Sequence, residues 1–322
     1  MKVAILGTGA YGMALASIFY NNNLKISMWT NSEEEKNLLI SSGKSNKIDY
    51  IIPKEIEIST DMESVIKGSS LIVMVVPSKF TRSTTREFKK YYNNQVICIA
   101  SKGLEDTTRM FLYDVVRSEI NTSNIAIISG GTFADDVIKK VPIGLSLATR
   151  SKIAKNTIMK AVKNNYVKVR PTRDIIGVEI CGSIKNVIAI ASGMIDGMGY
   201  PVSTSSLLIT EALNDIKNLS HALGGSKKTI LSFAGFGDIL LTCTSDKSRN
   251  YCLGKLIGSG ASKEEVDKYI ENNTIEGLNT LISIKKLLKS EKIKMPIINL
   301  IYDIIYGDKE PNELSKFLIK KE

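Results

Sequence analysis

Two charged residues stand alone in stretches that carry no other charge. From Ile180 to Ile195 the only one is Lys185, and from Thr229 to Thr244 the only one is Asp238, within Ala234-Gly235-Phe236-Gly237-Asp238-Ile239. A helix as apolar and as rich in small residues as the first stretch is buried on most faces, so its ammonium must find a partner or lose its proton. Desolvation moves a lysine toward the range useful for a general acid or base. Two lone opposite charges are most easily accommodated facing each other, because a buried charge that loses its partner costs roughly 3 to 5 kcal/mol. A lysine that snorkels to solvent, or a purely structural ion pair, would leave the same pattern.

Just downstream, Ser248-Arg249-Asn250 gathers a hydroxyl, a planar guanidinium and an amide, the donor set a phosphate monoester calls for. Ser101-Lys102-Gly103 and Gly130-Gly131-Thr132-Phe133-Ala134 each follow a strand-like run and offer backbone N–H groups at a glycine, with Lys102 adding charge. An exposed Arg or Lys is usually solvated surface, so these assignments depend on the rest of the pattern.

A second chemistry is written at the start. Lys2 to Leu6 reads as a strand and runs into Gly7-Thr8-Gly9-Ala10-Tyr11-Gly12, then into a helical pattern over Met13 to Tyr20. Gly7 permits the tight turn, Gly9 removes a side chain that would block a pyrophosphate, and Gly12 lets helix and strand approach. The helix N-terminus supplies N–H groups and a positive dipole end to phosphates. At the end of the second strand, Met28-Trp29-Thr30-Asn31-Ser32 offers neither the acid that accepts a ribose 2′-hydroxyl nor the arginine that receives a 2′-phosphate. Asn31 is left as a polar candidate contact there. With no acid, nothing in this pentapeptide repels a 2′-phosphate, and NAD and NADP both stay open.

These residues need elements to hold them. Lys2 to Leu6, Leu24 to Met28, Leu71 to Val76, Val96 to Ala100 and Ile125 to Ser129 read as buried strands separated by helix-length connections, which predicts a Rossmann-type, doubly wound parallel sheet. In such a sheet ligands bind beyond the carboxyl ends of the strands, where the motifs above fall. From about Asp174 the texture turns helical, through Val187 to Gly193, Ser206 to Leu223, Glu264 to Asn272 and Thr280 to Ser290. The expected fold is α/β with a C-terminal all-helical domain: a dinucleotide-binding domain over 1–172 and a substrate domain over 173–322, divided near Pro171 and Thr172, with Asp174 as a helix N-cap.

The 322 residues favour two cores over one. With 43% hydrophobic and 24% charged residues the chain reads as a soluble globular protein, and no stretch is expected to cross a bilayer. The apolar run after Met1 is too short for a signal peptide, so the mature protein is expected to start there. Cys98, Cys181, Cys243 and Cys252 lack metal-site spacing and disulfide density, which suits free thiols in a reducing cytosol. His221 is the single histidine, so a histidine metal cage is ruled out and no metal is expected; it reads as a surface or core-lining residue. The net charge of +10 fits anionic metabolites or a compositional drift toward Lys, Asn and Ile, and the scattered lysines argue against nucleic acid.

Taken together, these motifs resemble the NAD(P)-dependent glycerol-3-phosphate dehydrogenase family over nearly the whole chain. The resemblance is carried by Gly7 to Gly12, Val75-Val76-Pro77-Ser78, Ser101-Lys102-Gly103-Leu104 and Ser129 to Ala134. In the second half it rests on Gly177-Val178-Glu179, Lys185-Asn186-Val187, Asp196-Gly197-Met198-Gly199, Gly237-Asp238, Leu241-Thr242-Cys243-Thr244, Ser248-Arg249-Asn250 and Glu276-Gly277. It implies an oxidoreductase using NAD or NADP to interconvert sn-glycerol 3-phosphate and dihydroxyacetone phosphate. Lys185 matches the catalytic lysine, with Asp238 and Thr242 as its supporting polar residues. Lys102, Gly130, Thr132, Ser248, Arg249 and Asn250 match substrate contacts; Ala10, Tyr11, Lys102, Ala134, Arg249 and Glu276 match cofactor contacts. The resemblance further implies a cytoplasmic homodimer without stable membrane insertion, supplying glycerol 3-phosphate for glycerophospholipid synthesis.

Three positions depart from the family pattern: Gly131 stands where proline is usual, Ser203 where asparagine is, and Glu211 where arginine follows Leu-Ile-Thr. The last reverses a charge and bears on any subunit contact there. A β-hydroxyacid dehydrogenase also joins a nucleotide domain to a helical domain with a catalytic lysine, but takes carboxylate substrates. A non-catalytic sensor of NAD(H) would leave Lys185 and Asp238 unexplained.

Overall fold

The computed structural model describes residues 1–320 and divides the chain into two compact units, Met1–Lys102 with Phe111–Ile175 and Gly103–Met110 with Ile176–Glu322. The first holds one eight-stranded sheet: β1 (Lys2–Leu6), β2 (Lys25–Trp29), β3 (Glu57–Ser59), β4 (Leu71–Met74), β5 (Val96–Ile99), β6 (Ile125–Ser129), β7 (Ile143–Ala148) and β8 (Val167–Thr172). Its helices are α1 (Ala10–Asn21), α2 (Glu33–Ser42), α3 (Met62–Ile66), α4 (Thr81–Phe88), α5 (Leu112–Glu119), α6 (Ala134–Ile138) and α7 (Lys152–Val162).

The sheet order is β3-β2-β1-β4-β5-β6-β7-β8, so it reverses beside β1. The turn after β1 therefore opens at the switch point where such folds bind ligands. Five strands were legible in the sequence because they are largely buried on both faces and read as mostly apolar runs, as β4 does with all of Leu71, Ile72, Val73 and Met74 buried. The sheet is not wholly parallel as expected: β6 and β7 pair antiparallel, Ile127 opposite Ala148, before β8 pairs parallel with β7. The edge strands β3 and β8 escaped notice because their exposed residues, Glu57, Lys168 and Arg170 among them, hide the apolar signal.

The second unit is helical: α8 (Ile175–Gly197), α9 (Val202–Ala222), α10 (Asp238–Cys243), α11 (Arg249–Gly258), α12 (Lys263–Asn272), α13 (Glu276–Ser290), α14 (Pro296–Tyr306) and α15 (Glu313–Ile319). The expectation that no stretch could cross a membrane is corrected by α8, which at 23 residues is long and apolar enough by length and composition. Its most apolar window is 89% buried inside the protein, so it serves as the core helix of this unit. Glycines let a neighbour close on it. A Cβ at Gly193 would lie 2.0 Å from the Tyr251 carbonyl oxygen, and one at Gly254 of α11 would lie 1.9 Å from that of Ile190. Such backbone contact is open only to residues without side chains.

Candidate active site

The core helix carries its one interior charge to a matching carboxylate. Lys185 Nζ donates to Asp238 Oδ1 at 2.6 Å and to Thr242 Oγ1 at 3.0 Å. The lysine side chain is 11% exposed and the aspartate 1%, so the pair is nearly dry yet open at the ammonium. Asp238 reaches this point because a tight turn over Phe233–Gly237 ends where α10 begins; a Cβ at Gly235 would meet the Ile230 carbonyl oxygen at 2.3 Å. Thr242, one turn on, donates its hydroxyl proton to the Asp238 carbonyl oxygen at 2.6 Å. That leaves its lone pairs to receive the lysine. Ser192 Oγ ties α8 to α10 through the Cys243 carbonyl oxygen at 2.7 Å. An ammonium has three protons, and two are engaged here; the third is what a ligand oxygen can take. Burial pushes the neighbouring Cys243 thiol up to about 12, which removes it as a nucleophile.

The phosphate-type donors gather at another helix start in this unit. Ser248 is the buried N-cap of α11 and accepts from Tyr251 N, so its oxygen has a structural duty. Arg249, the first residue of α11, is exposed. Buried Asn250 accepts the Gly277 N–H at 2.9 Å through Oδ1. Glu276 begins α13, and its carboxylate receives Asn186 Nδ2 at 3.2 Å. Asn186 thus joins the network one residue from Lys185, a position that the residue types alone did not mark as a site. Its signal in the sequence was adjacency to the lone lysine, and the structure shows it nearly completely buried.

In the first unit, Gly7 and Gly9 lie in the turn after β1 and Ala10, Tyr11 and Gly12 open α1, and the three glycines have different reasons to be there. Gly7 has φ +121°, and a Cβ would lie 2.8 Å from the Val75 carbonyl oxygen; at Gly12 it would lie 2.3 Å from the Gly7 carbonyl oxygen. At Gly9 a Cβ would meet nothing within 4 Å, so the fold itself does not require a glycine. Gly9 is also the N-cap of α1, no side chain caps that helix, and its first turn holds no acid. A helix start that no side chain caps, with open space at Gly9, fits a dinucleotide pyrophosphate.

The remaining positions lie beyond other strand ends of this unit. Lys102 follows β5; Thr132 and Ala134 follow β6. Gly130 has a steric reason to be glycine, since a Cβ there would meet the Gly144 carbonyl oxygen of β7 at 2.2 Å. Asn31 is exposed after β2. The sequence showed no acid at this strand end, but the structure brings one back to it: Thr30 Oγ1 donates to Glu35 Oε2 at 2.9 Å. Of the three departures, Ser203 and Glu211 are exposed on α9 and Gly131 is half-buried after β6, so none displaces Lys185, Asp238 or Arg249. His221 is exposed near the end of α9, and all four cysteines are free.

Comparison with known proteins adds two family matches. Residues 2–155 match the NAD-dependent glycerol-3-phosphate dehydrogenase N-terminus and residues 174–316 the C-terminus of the same family. The chain is 32% identical to a glycerol-3-phosphate dehydrogenase [NAD(P)+] of Leptospira biflexa, over 100% of this chain and 98% of that protein. It is 33% identical to one from a Thermoanaerobacter species, again over 100% and 98%. The crystal structure of glycerol-3-phosphate dehydrogenase from Coxiella burnetii superposes with a TM-score of 0.93 at 29% identity, covering 99% of each chain.

Proposed function

The chain belongs to the NAD-dependent glycerol-3-phosphate dehydrogenase family, and on that premise we propose that it interconverts sn-glycerol 3-phosphate and dihydroxyacetone phosphate, with Lys185 moving the proton. The observation that carries this assignment is the nearly dry contact of Lys185 Nζ with Asp238 Oδ1 at 2.6 Å. When bound, the nicotinamide cofactor, NAD or NADP, supplies or accepts the hydride.

The residues of the chain do the rest. In the reducing direction Lys185 Nζ gives its third proton to the oxygen developing charge at C2; in the oxidising direction the neutral amine takes the hydroxyl proton. Asp238 stabilises the ammonium, and together with Thr242, which accepts a second of its protons, it fixes where the ammonium points. Arg249, with Asn250 and the hydroxyl proton of Ser248, binds the phosphate and rejects uncharged triols. Lys102, Gly130 and Thr132 complete the substrate contacts. The proposed cofactor contacts are Gly7, Gly9, Ala10, Tyr11, Gly12, Asn31, Lys102, Ala134, Arg249 and Glu276.

The reading extends to a cytoplasmic homodimer, without membrane insertion, that supplies glycerol 3-phosphate to glycerophospholipid synthesis. Four free cysteines suit a reducing compartment, and among the described residues the single helix of membrane-spanning length and apolarity has 89% of its most apolar window buried inside the protein. The test is substrate-resolved oxidation of reduced cofactor by the purified chain, read by the absorbance of reduced nicotinamide. Dihydroxyacetone phosphate is expected to be reduced and oxo acids left untouched. Turnover of oxo acids with none of dihydroxyacetone phosphate would overturn the proposal.

A further inference from the structure

The corner beside the glycine turn holds an acid that the strand end itself lacks. Pairing of Leu6 with Trp29 sets the ends of β1 and β2 level, so Thr8 and Thr30 flank the same corner. Glu35, in the first turn of α2, folds its carboxylate back into it. Thr30 Oγ1 donates to Oε2 at 2.9 Å, the Thr8 hydroxyl donates to the same carboxylate, and Lys47 Nζ pairs with Oε1.

A glutamate three residues after a serine N-cap ordinarily bonds the backbone of that cap. Here half of that arrangement forms, with Ser32 Oγ accepting Glu35 N at 3.1 Å. The other half is rerouted: Ser32 N donates to Thr30 Oγ1 at 3.4 Å, and Thr30 in turn holds the carboxylate. The detour turns Glu35 toward the glycine turn instead of onto its own helix end. Its side chain stays 20% exposed, enough for one edge to meet a ligand.

Charge in this corner is negative. Burial pushes the Glu35 carboxyl up, but hydrogen bonds from Lys47, Thr30 and Thr8 outweigh it and hold the group below its ordinary value. The nearby cations are engaged: Lys47 by Glu35, and Lys36 by Glu33 at 2.5 Å. Glu33, Glu34 and Glu35 all lie in the first turn of α2, so acids outnumber those two lysines.

We propose that Glu35 is a specificity residue that makes the chain favour NAD(H) over NADP(H), because its carboxylate stands at the strand-end position from which an acid accepts a ribose 2′-hydroxyl and repels a 2′-phosphate. A phosphate monoester brings roughly 1.5 to 2 negative charges at neutral pH. To bind here it would have to draw Lys47 away and leave Glu35 without its ion partner. This inference rests on the dinucleotide-binding reading of the glycine turn.

The test uses the intact chain and ligands without a nicotinamide, so it does not depend on turnover. Calorimetric titration with ADP-ribose and with its 2′-phosphate is expected to show the first binding on the order of 10- to 100-fold more tightly, the range like-charge repulsion gives near a surface. Glu35→Gln should narrow that gap to within about threefold by strengthening the phosphorylated ligand. Lys47→Met, which leaves Thr8 and Thr30 holding the carboxylate, should widen it, and this keeps the question answerable if the first variant does not fold. Equal or tighter binding of the 2′-phosphate by the wild type, an unchanged gap in Glu35→Gln, or a narrowed one in Lys47→Met overturns the proposal. Binding of neither ligand to the wild type overturns the dinucleotide reading itself, and this proposal with it.

Discussion

Removing Asp238 alone should cost more than removing it together with Lys185. At 2.6 Å the charges attract by about 6 kcal/mol with an effective dielectric near 20, and desolvation of two ions cancels most of that. The net value of the pair is therefore small, while a survivor left alone in the dry site costs roughly 3 to 5 kcal/mol. Asp238→Ala takes the ion partner from an ammonium that is 11% exposed and keeps Thr242 as its one side-chain partner among the described residues. Lys185→Met removes the ion partner of a carboxylate that is 1% exposed and keeps the Thr242 hydroxyl at 3.4 Å from it. Asp238→Ala also removes an acid from the first turn of α10, worth up to about 1 kcal/mol, but that effect cancels in a double-mutant cycle. The two units need not unfold together, so the readout should be local: amide hydrogen exchange along α8. The double variant should fall short of the summed single losses by about 2 kcal/mol or more. Additive losses would refute the reasoning, as would single losses below about 1 kcal/mol.

Other expectations follow from the same coordinates. Gly9→Ala should fold with a change within about 0.5 kcal/mol and lose dinucleotide affinity, whereas Gly12→Ala should lose about 1–3 kcal/mol of stability because its Cβ meets backbone; melting curves and calorimetric titration separate the two. Arg249→Ala should weaken dihydroxyacetone phosphate by roughly 10- to 100-fold in KM, the loss of a charge-assisted contact of about 1.5–3 kcal/mol, with its melting temperature kept. A hydrogen bond from Lys255 at 2.8 Å holds the Asp196 carboxyl below its ordinary 3.8, so its stabilisation is complete above that value and is lost as pH falls through the folded one. Asp196→Asn should accordingly flatten the acid side of the melting temperature profile below about pH 4; an unchanged slope would remove Asp196 from the account of acid unfolding.

The sequence disclosed what burial writes into residue type. Five mostly apolar strands and two isolated charges need no neighbours to be noticed, and Lys185 does meet Asp238. What it hid depends on chain reversal. Glu35 is five positions beyond Thr30, and only the rerouted cap of α2 brings them together; Ser32 and Glu35 carry the spacing of a capping pair, which points to a helix start and not to a ligand. Residues Gly103–Met110 group with the helical unit although strands of the sheet flank them, an excursion no local pattern announces. The antiparallel β7 follows a short α6 and a polar turn, Lys139 and Lys140, whose composition resembles any other crossover.

The most direct test of the account is the turnover of dihydroxyacetone phosphate by Lys185→Met beside the wild type, each saturated with reduced cofactor whose binding is measured separately. A general acid held in place contributes about 10²- to 10⁴-fold, so the variant should lose at least 10²-fold in kcat while binding cofactor as before. A variant that retains cofactor and turns over within about threefold of the wild type would contradict the assignment of the proton to Lys185.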